Sequence, residues 1–323
     1  MTSARLLALA LLVFAAPVAA QEHEAAPAAD SVRHVVPEAG AEAGAVDIIT
    51  PHITDAYAID VPCFNRSTGF VCEKELPRWT VHVGGRTIDM SPTKHVVMLL
   101  VAALLCCLVL ITAARAHKRH THAVGRPKGF AAGIEAMVLY IRNEVAIPNL
   151  GPHGEKYAPF ILTLFFFILF ANLLGLIPYG STATGNVSVT LMLALVTFVV
   201  VEIAGIRAQG VHYLNTIFYW NKDLHPVMRV AMFIIMTPVE IVGKLTKPFA
   251  LTIRLFANMT AGHIVVLALI GLIFVFKSYV IGLAPALMAT AIMMLELFVA
   301  FLQAYIFAML SAVFIGQIRE AHH

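Results

Sequence analysis

Two apolar runs near the C-terminus, Pro226 to Phe276 and Leu283 to Gln317, constrain this chain more than anything else in it. They hold about 50 and about 35 residues, whereas roughly 20 suffice to cross the hydrocarbon of a bilayer. Inside the first run sits Arg254, in the stretch Leu-Thr-Ile-Arg-Leu-Phe-Ala-Asn-Met-Thr-Ala-Gly-His (251–263). An arginine at membrane depth costs about 2.5–3.5 kcal/mol on insertion scales, and intramembrane polar groups mark ion or proton paths by default. With 59% apolar and 13% charged residues and a mean hydropathy of +0.83, the chain is far from soluble globular usage. Its net charge of +3 is too small to suggest a nucleic-acid partner.

These features predict an all-α polytopic membrane protein of about five to six membrane helices. The last two form a long tilted hairpin, and a small exported β-hairpin region lies near the N-terminus. Pro248 suggests a helix break or restart. From Pro248 to Phe276 is roughly 42 Å of helix, and from Leu283 to Gln317 roughly 52 Å. The hydrocarbon core is only about 30 Å thick, so both helices must tilt, bend or leave it.

The N-terminal part divides by composition. Residues 1–20 carry Arg5, a short apolar core and Val18-Ala19-Ala20 before Gln21, the build of a secretory signal peptide. A short membrane anchor is the rival reading, but the apolar core is too short to span. Residues 21–56 are rich in Ala, Glu and Pro, as in a disordered exported tail. Residues 57–94 form an exported extension. Within it Trp79–Val83, Gly84-Gly85 and Arg86–Met90 read as a β-hairpin with a two-glycine turn. Cys63 and Cys72 suggest a short disulfide loop on the oxidising side of a membrane, and a metal site there lacks further ligands. Residues 95–323 form the membrane domain.

The first span, about Val96 to Ala114, ends in the basic cluster Arg115–His122, which marks the cytoplasmic side. His117, His120 and His122 are too loosely spaced to suggest a metal site. Cys106 and Cys107, inside the span, read as small buried thiols. Ile134, Met137, Val138, Ile141 and Val145 recur at helical spacing, as in an amphipathic helix on the cytoplasmic surface. Further spans follow at about Ala158–Pro178 and Val187–Ile206, joined by an uncharged outer turn. Counting spans puts the C-terminus in the cytoplasm.

After Pro248, a stripe of Ala250, Arg254, Ala257, Asn258 and Ala261 recurs at steps of three or four. Small residues let another helix approach closely. On the last helix Glu296 and Gln303 share a face two turns apart, with Val299 and Ala300 between them leaving room for water. Arg254 cannot release its proton, so its work is electrostatic, holding a neighbouring carboxylate charged. His263 and Glu296 can exchange protons. Alternatively, Arg254 pairs with Glu296 to hold the hairpin together. Reflection about a turn near residue 280 places position 263 opposite about 297, and Arg254 opposite about 306, where there is no acid. The acid that Arg254 meets then belongs to another chain.

Leu245-Thr-Lys-Pro-Phe-Ala-Leu-Thr-Ile-Arg-Leu-Phe-Ala-Asn-Met-Thr-Ala-Gly-His263 closely resembles the signature of subunit a of the F-type ATP synthase. Leu-Glu-Leu-Phe-Val-Ala-Phe-Leu-Gln-Ala-Tyr-Ile-Phe (295–307) is similar to its last-helix motif. Phe170-Ala-Asn-Leu-Leu-Gly-Leu-Ile-Pro178 and Asn186-Val-Ser-Val-Thr190 resemble its earlier spans. The resemblance covers roughly residues 95–320, in order; the exported region lies outside it. It implies a proton-translocating stator subunit, itself no enzyme and without cofactor or metal, in a bacterial inner membrane. Its implied partners are the rotor c-ring, the peripheral-stalk b subunits, other ATP synthase subunits and lipid. It further implies that Arg254 is the stator arginine facing the ring. By the same resemblance Asn258, His263, Glu296 and Gln303 line the half-channel open to the exported side, and Glu240 belongs to the cytoplasmic one. Glu202 lines the cytoplasmic path or is an acid at the lipid interface. Two rival classes are a proton-coupled secondary transporter, which usually shows internal repeats, and a membrane metalloenzyme, which needs at least three ligands.

Overall fold

The structure is a computed structural model. It describes residues 56–65, 69–83, 86–89, 91–120, 129–151, 154–177, 182–210, 213, 226–276 and 279–320. The expected signal peptide and almost all of the exported tail lie outside these residues, as do the side chains of Cys63, Cys72, His117, His120 and His122.

Two small antiparallel strand pairs precede the membrane helices. Strand β1 (Ala58–Asn65) pairs with β2 (Gly69–Glu75), and β3 (Thr80–Val83) with β4 (Arg86–Asp89). The second pair is the expected hairpin, with Val83 opposite Arg86 across the two glycines. The first pair places Cys72 opposite Val61. The extension is tied to the first span: the Lys94 amide donates to the Ala56 carbonyl at 3.0 Å, and the Trp79 amide to Ser91 Oγ at 2.9 Å.

Helix α1 (Lys94–His120) is the first span, followed by α2 (Phe130–Tyr140). A π-helical stretch, Ile141–Ala146, and a short turn, Ile147–Leu150, continue α2. The expected amphipathic face is there, but it is buried against the helical core rather than lying only on a surface: Ile134, Ile141 and Val145 are enclosed, and Met137 and Val138 pack on that core. Helices α3 (Ala158–Gly175) and α4 (Val187–Gln209) are the next spans. Pro159 opens α3 where no intrahelical N–H is needed. Asn186 caps α4, its Oδ1 accepting from the Ser188 amide at 2.9 Å.

Helix α5 runs unbroken from Pro226 to Phe276, 51 residues, and α6 from Tyr279 to Glu320, 42 residues. Pro248 therefore does not break the helix; it and Pro238 lie inside α5. A proline removes one backbone bond, but apolar surroundings offer the freed groups no water, so continuing the helix is the least costly arrangement. At 1.5 Å per residue the two helices reach about 76 and about 63 Å, more than twice the hydrocarbon thickness of about 30 Å. Among the described residues five helices are long and apolar enough to span: α1, α3, α4, α5 and α6. Helices α3 and α4 with the second half of α6 make the core, whereas only 17% of the apolar window of α5 is buried, against 56% for α3. Helix α5 is thus peripheral, held chiefly by α6 and α4.

Candidate functional site

The register of the α5/α6 hairpin decides which polar groups meet. Gly262 faces Glu296: a Cβ there would lie 3.0 Å from Glu296 Cδ and 3.1 Å from its Oε1. Four residues earlier on α5, Asn258 Nδ2 donates to Gln303 Oε1 at 3.1 Å. This is the reflection expected from the turn. It separates Glu296 from Arg254 by eight residues of α5, about 12 Å, and the two do not pair.

Arg254 lies on the outer side of α5. Leu251, Leu255 and Met259 are buried in the core, whereas Ala250, Arg254, Ala257, Asn258 and Ala261 are exposed, with Phe249 and Ile253 beside them. Arg254 makes no hydrogen bond or ion pair with any described residue. The small-residue stripe is therefore an open face, and its one fixed charge points away from the protomer's own core.

On the inner side, toward the α5/α6 turn, Glu296 is 5% and Gln303 1% exposed. Glu296 Oε1 and Gln303 Nε2 are buried without a hydrogen-bond partner among the described residues. Leaving polar atoms so buried costs about 1–3 kcal/mol each, and native structures concentrate this cost at functional sites. Half-buried His263 follows Gly262 directly. The turn before α4 closes the neighbourhood: Thr184 Oγ1 donates to Asn172 Oδ1 at 2.8 Å, and Thr260 Oγ1 to the Gly185 carbonyl at 3.4 Å. Asn172 Nδ2 also donates to the Ala300 carbonyl at 3.4 Å, so the small residue between Glu296 and Gln303 makes room for Asn172.

Toward the other end of α5 a cavity of about 150 Å³ opens between α4, α5 and α6. That holds several waters. It runs from Leu251, one turn before Arg254, to Gln209 and Gln317, and both Glu202 and Glu240 line it. Glu240 thus lines a cavity, and Glu202 faces the same cavity rather than lipid alone. Lys244 and Lys247 line it too. Lys244 Nζ is 3.6 Å from Glu202 Oε1 and donates to Tyr213 Oη at 2.6 Å, and Tyr213 Oη donates to Glu202 Oε2. Burial, followed by the hydrogen bond to Glu202 and the charges of Glu202 and Glu240, pushes the Tyr213 phenol above its ordinary pKa.

The predicted residues thus fall into an outward arginine, a buried polar group around Glu296 and a cavity group. Sequence reasoning missed the parts played by Gly262, Asn172, Lys244 and Tyr213. Lys244 is visible as a cation interrupting an apolar run; nothing marks Tyr213.

Residues 95–316 match the family model of the ATP synthase A chain. The chain is 46% identical over 307 residues to ATP synthase subunit a 2 of Chlorobaculum tepidum, covering 94% of this chain and 78% of that one. It is 47% identical over 265 residues to ATP synthase subunit a of Chloroherpeton thalassium, covering 82% and 74%. To ATP synthase subunit a of an Anaeromyxobacter species it is 42% identical over 312 residues, covering 88% and 74%. Likeness that runs through every membrane helix and takes in most of each relative leaves one assignment: the chain belongs to the ATP synthase subunit a family.

Proposed function

We propose that this chain is the proton-translocating stator subunit of the membrane sector of an F-type ATP synthase, non-catalytic itself, with two half-channels that meet a rotor ring of c subunits at Arg254. The observation that carries the reading is the placement of Arg254. It makes no hydrogen bond or ion pair with any described residue and stands on an exposed small-residue stripe, with an inward polar group on one side and a cavity reaching within one turn of it from the other. Small residues allow close approach of a ring helix, and a permanent cation there favours the charged form of a ring carboxylate. Asn258, His263, Glu296 and Gln303 form the half-channel open to the exported side. Glu240 stands in the cytoplasmic one.

In this mechanism a proton entering by Glu296 neutralises a ring carboxylate, which then turns into lipid. A second protonated carboxyl reaches the cavity and releases its proton to water. Arg254 keeps the intervening carboxylate ionised and blocks direct leakage. A proton crossing the membrane yields about 2.3 kcal/mol per 100 mV. The basic cluster after α1 sets the orientation, with exported N-terminal extension and cytoplasmic C-terminus. Residues 95–323 are the membrane domain, residues 57–94 an exported addition, and b subunits with the rest of the synthase complete the stator.

Arg254→Ala in membrane vesicles is the test, after confirming that the complex assembles. ATP-driven proton pumping is expected to vanish. Passive permeability with the catalytic head removed reports whether a leak has opened. Normal coupled pumping would reduce Arg254 to a structural charge and overturn the reading.

A further inference from the structure

The cavity wall carries a charged group that the proposed mechanism leaves unused. Lys244 lies ten residues before Arg254, about 15 Å along α5. Its ammonium contacts Glu202 from α4 and the hydroxyl of Tyr213, and stands 4.3 Å from the centroid of the Tyr213 ring. Tyr213 donates to Glu202 in turn, so the three groups close a ring. The backbone is shaped for it: a Cβ on Gly205, one turn beyond Glu202, would lie 2.7 Å from the Tyr213 ring carbon Cε2. Glycine leaves the aromatic ring its seat.

Glu202 and Lys244 both line the cavity, and Glu202 retains 20% exposure. An ion pair that merely fastened α4 to α5 would contribute little while partly solvated, and a phenol would not be needed. We propose that Glu202 is a second proton-exchanging group of the cytoplasmic path, and that Tyr213 and Lys244 are the residues that position it. This rests on the stator reading above. A proton released from the ring to cavity water passes to the Glu202 carboxylate. The resulting carboxylic acid returns it to water at the Gln209–Gln317 end, so one proton enters and one leaves. Tyr213 and Lys244 keep their own protons throughout. The titratable groups facing Glu202 across the cavity are Glu240, Lys244 and Lys247 of α5, with Tyr213 beside it; α6 contributes Gln317 and no titratable group among the described residues.

The test uses vesicles carrying the assembled complex, with passive proton flux measured after removal of the catalytic head and normalised to the amount of complex. Glu202→Gln is expected to lower the flux at least about threefold. Glu202→Asp, which keeps an exchangeable proton, should restore most of the flux. Tyr213→Phe keeps the ring in its seat and loses the hydroxyl; it should lower the flux at least about twofold, and lower it no further when added to Glu202→Gln, which leaves no carboxylate to position. A fastening role would lower assembly and leave the flux per assembled complex unchanged. An unchanged flux in Glu202→Gln, alongside lost pumping in Arg254→Ala, overturns this proposal alone. Normal pumping in Arg254→Ala overturns the stator reading and this proposal with it. If Glu202→Gln fails to assemble, unchanged flux in Tyr213→Phe refutes the proposal.

Discussion

Gly262→Ala asks whether the position of the Glu296 carboxyl matters, as distinct from its presence. The added methyl would lie 3.0 Å from Glu296 Cδ, 3.1 Å from Oε1 and 3.3 Å from Cγ. Carbon atoms pack best at about 3.5–4.0 Å, so the carboxyl must withdraw by roughly 0.5–1 Å. All three atoms belong to a flexible side chain, and an off-rotamer torsion costs about 0.5–1.5 kcal/mol. Replacing glycine by alanine inside a helix returns about 1 kcal/mol. Stability should therefore change little, while the Glu296 carboxyl, which exchanges protons in the proposed mechanism, leaves its place, and misplacements of this size cost up to about 100-fold in reactions that depend on alignment. The expected result is a normal amount of complex with passive proton flux reduced several-fold. Gly271→Ala on the same helix supplies the control, because a Cβ there meets open space; it should leave flux unchanged. Unchanged flux in Gly262→Ala, or equal loss in both variants, would refute the argument that this glycine sets the Glu296 position.

Gly316→Ala should act on assembly instead: its Cβ would overlap the Asn149 carbonyl oxygen, a backbone atom that cannot swing aside, so destabilisation by about 1–3 kcal/mol is expected, read as a lowered unfolding temperature of the purified complex. Asn172→Leu removes the acceptor for Thr184 and the donor to the Ala300 carbonyl. It leaves buried polar groups unpaired at about 1–3 kcal/mol and should likewise lower that temperature.

Much of this arrangement is written in periodicity. The stripe through Arg254 and the shared face of Glu296 and Gln303 follow from helical spacing alone. The pairing of the Gly262 region with Glu296 follows from the position of the turn. What escaped the sequence depends on neighbours. Pro248 reads as a break by a rule learned in water, yet lies inside one continuous helix. The apolar face of α2 looks the same whether lipid or protein covers it, and here α2 and the π-helical stretch after it pack on the core. Tyr213 gains its seat only because Gly205 and Lys244, from two different helices, converge on its ring, and no local pattern encodes that meeting.

The geometry of α5 also bears on why the proposed mechanism needs a rotor. Lys244 and Gly262 are eighteen residues apart, five turns, so they lie on one line down the helix about 27 Å apart. The cavity group stands at one end of that line and Glu296 at the other. Their separation is close to the hydrocarbon thickness of about 30 Å, so the shortest proton path would run straight along this face. Leu251 and Leu255 stand on the same line to within about 20°, and both are buried in the core. They offer a proton nothing to bind, and the direct route is closed by packing. Arg254 lies between the two ends but about 80° round the helix, on the open side. In the proposed mechanism a proton bound for the cavity therefore leaves the protomer, passes around the arginine on a moving ring carboxyl, and comes back.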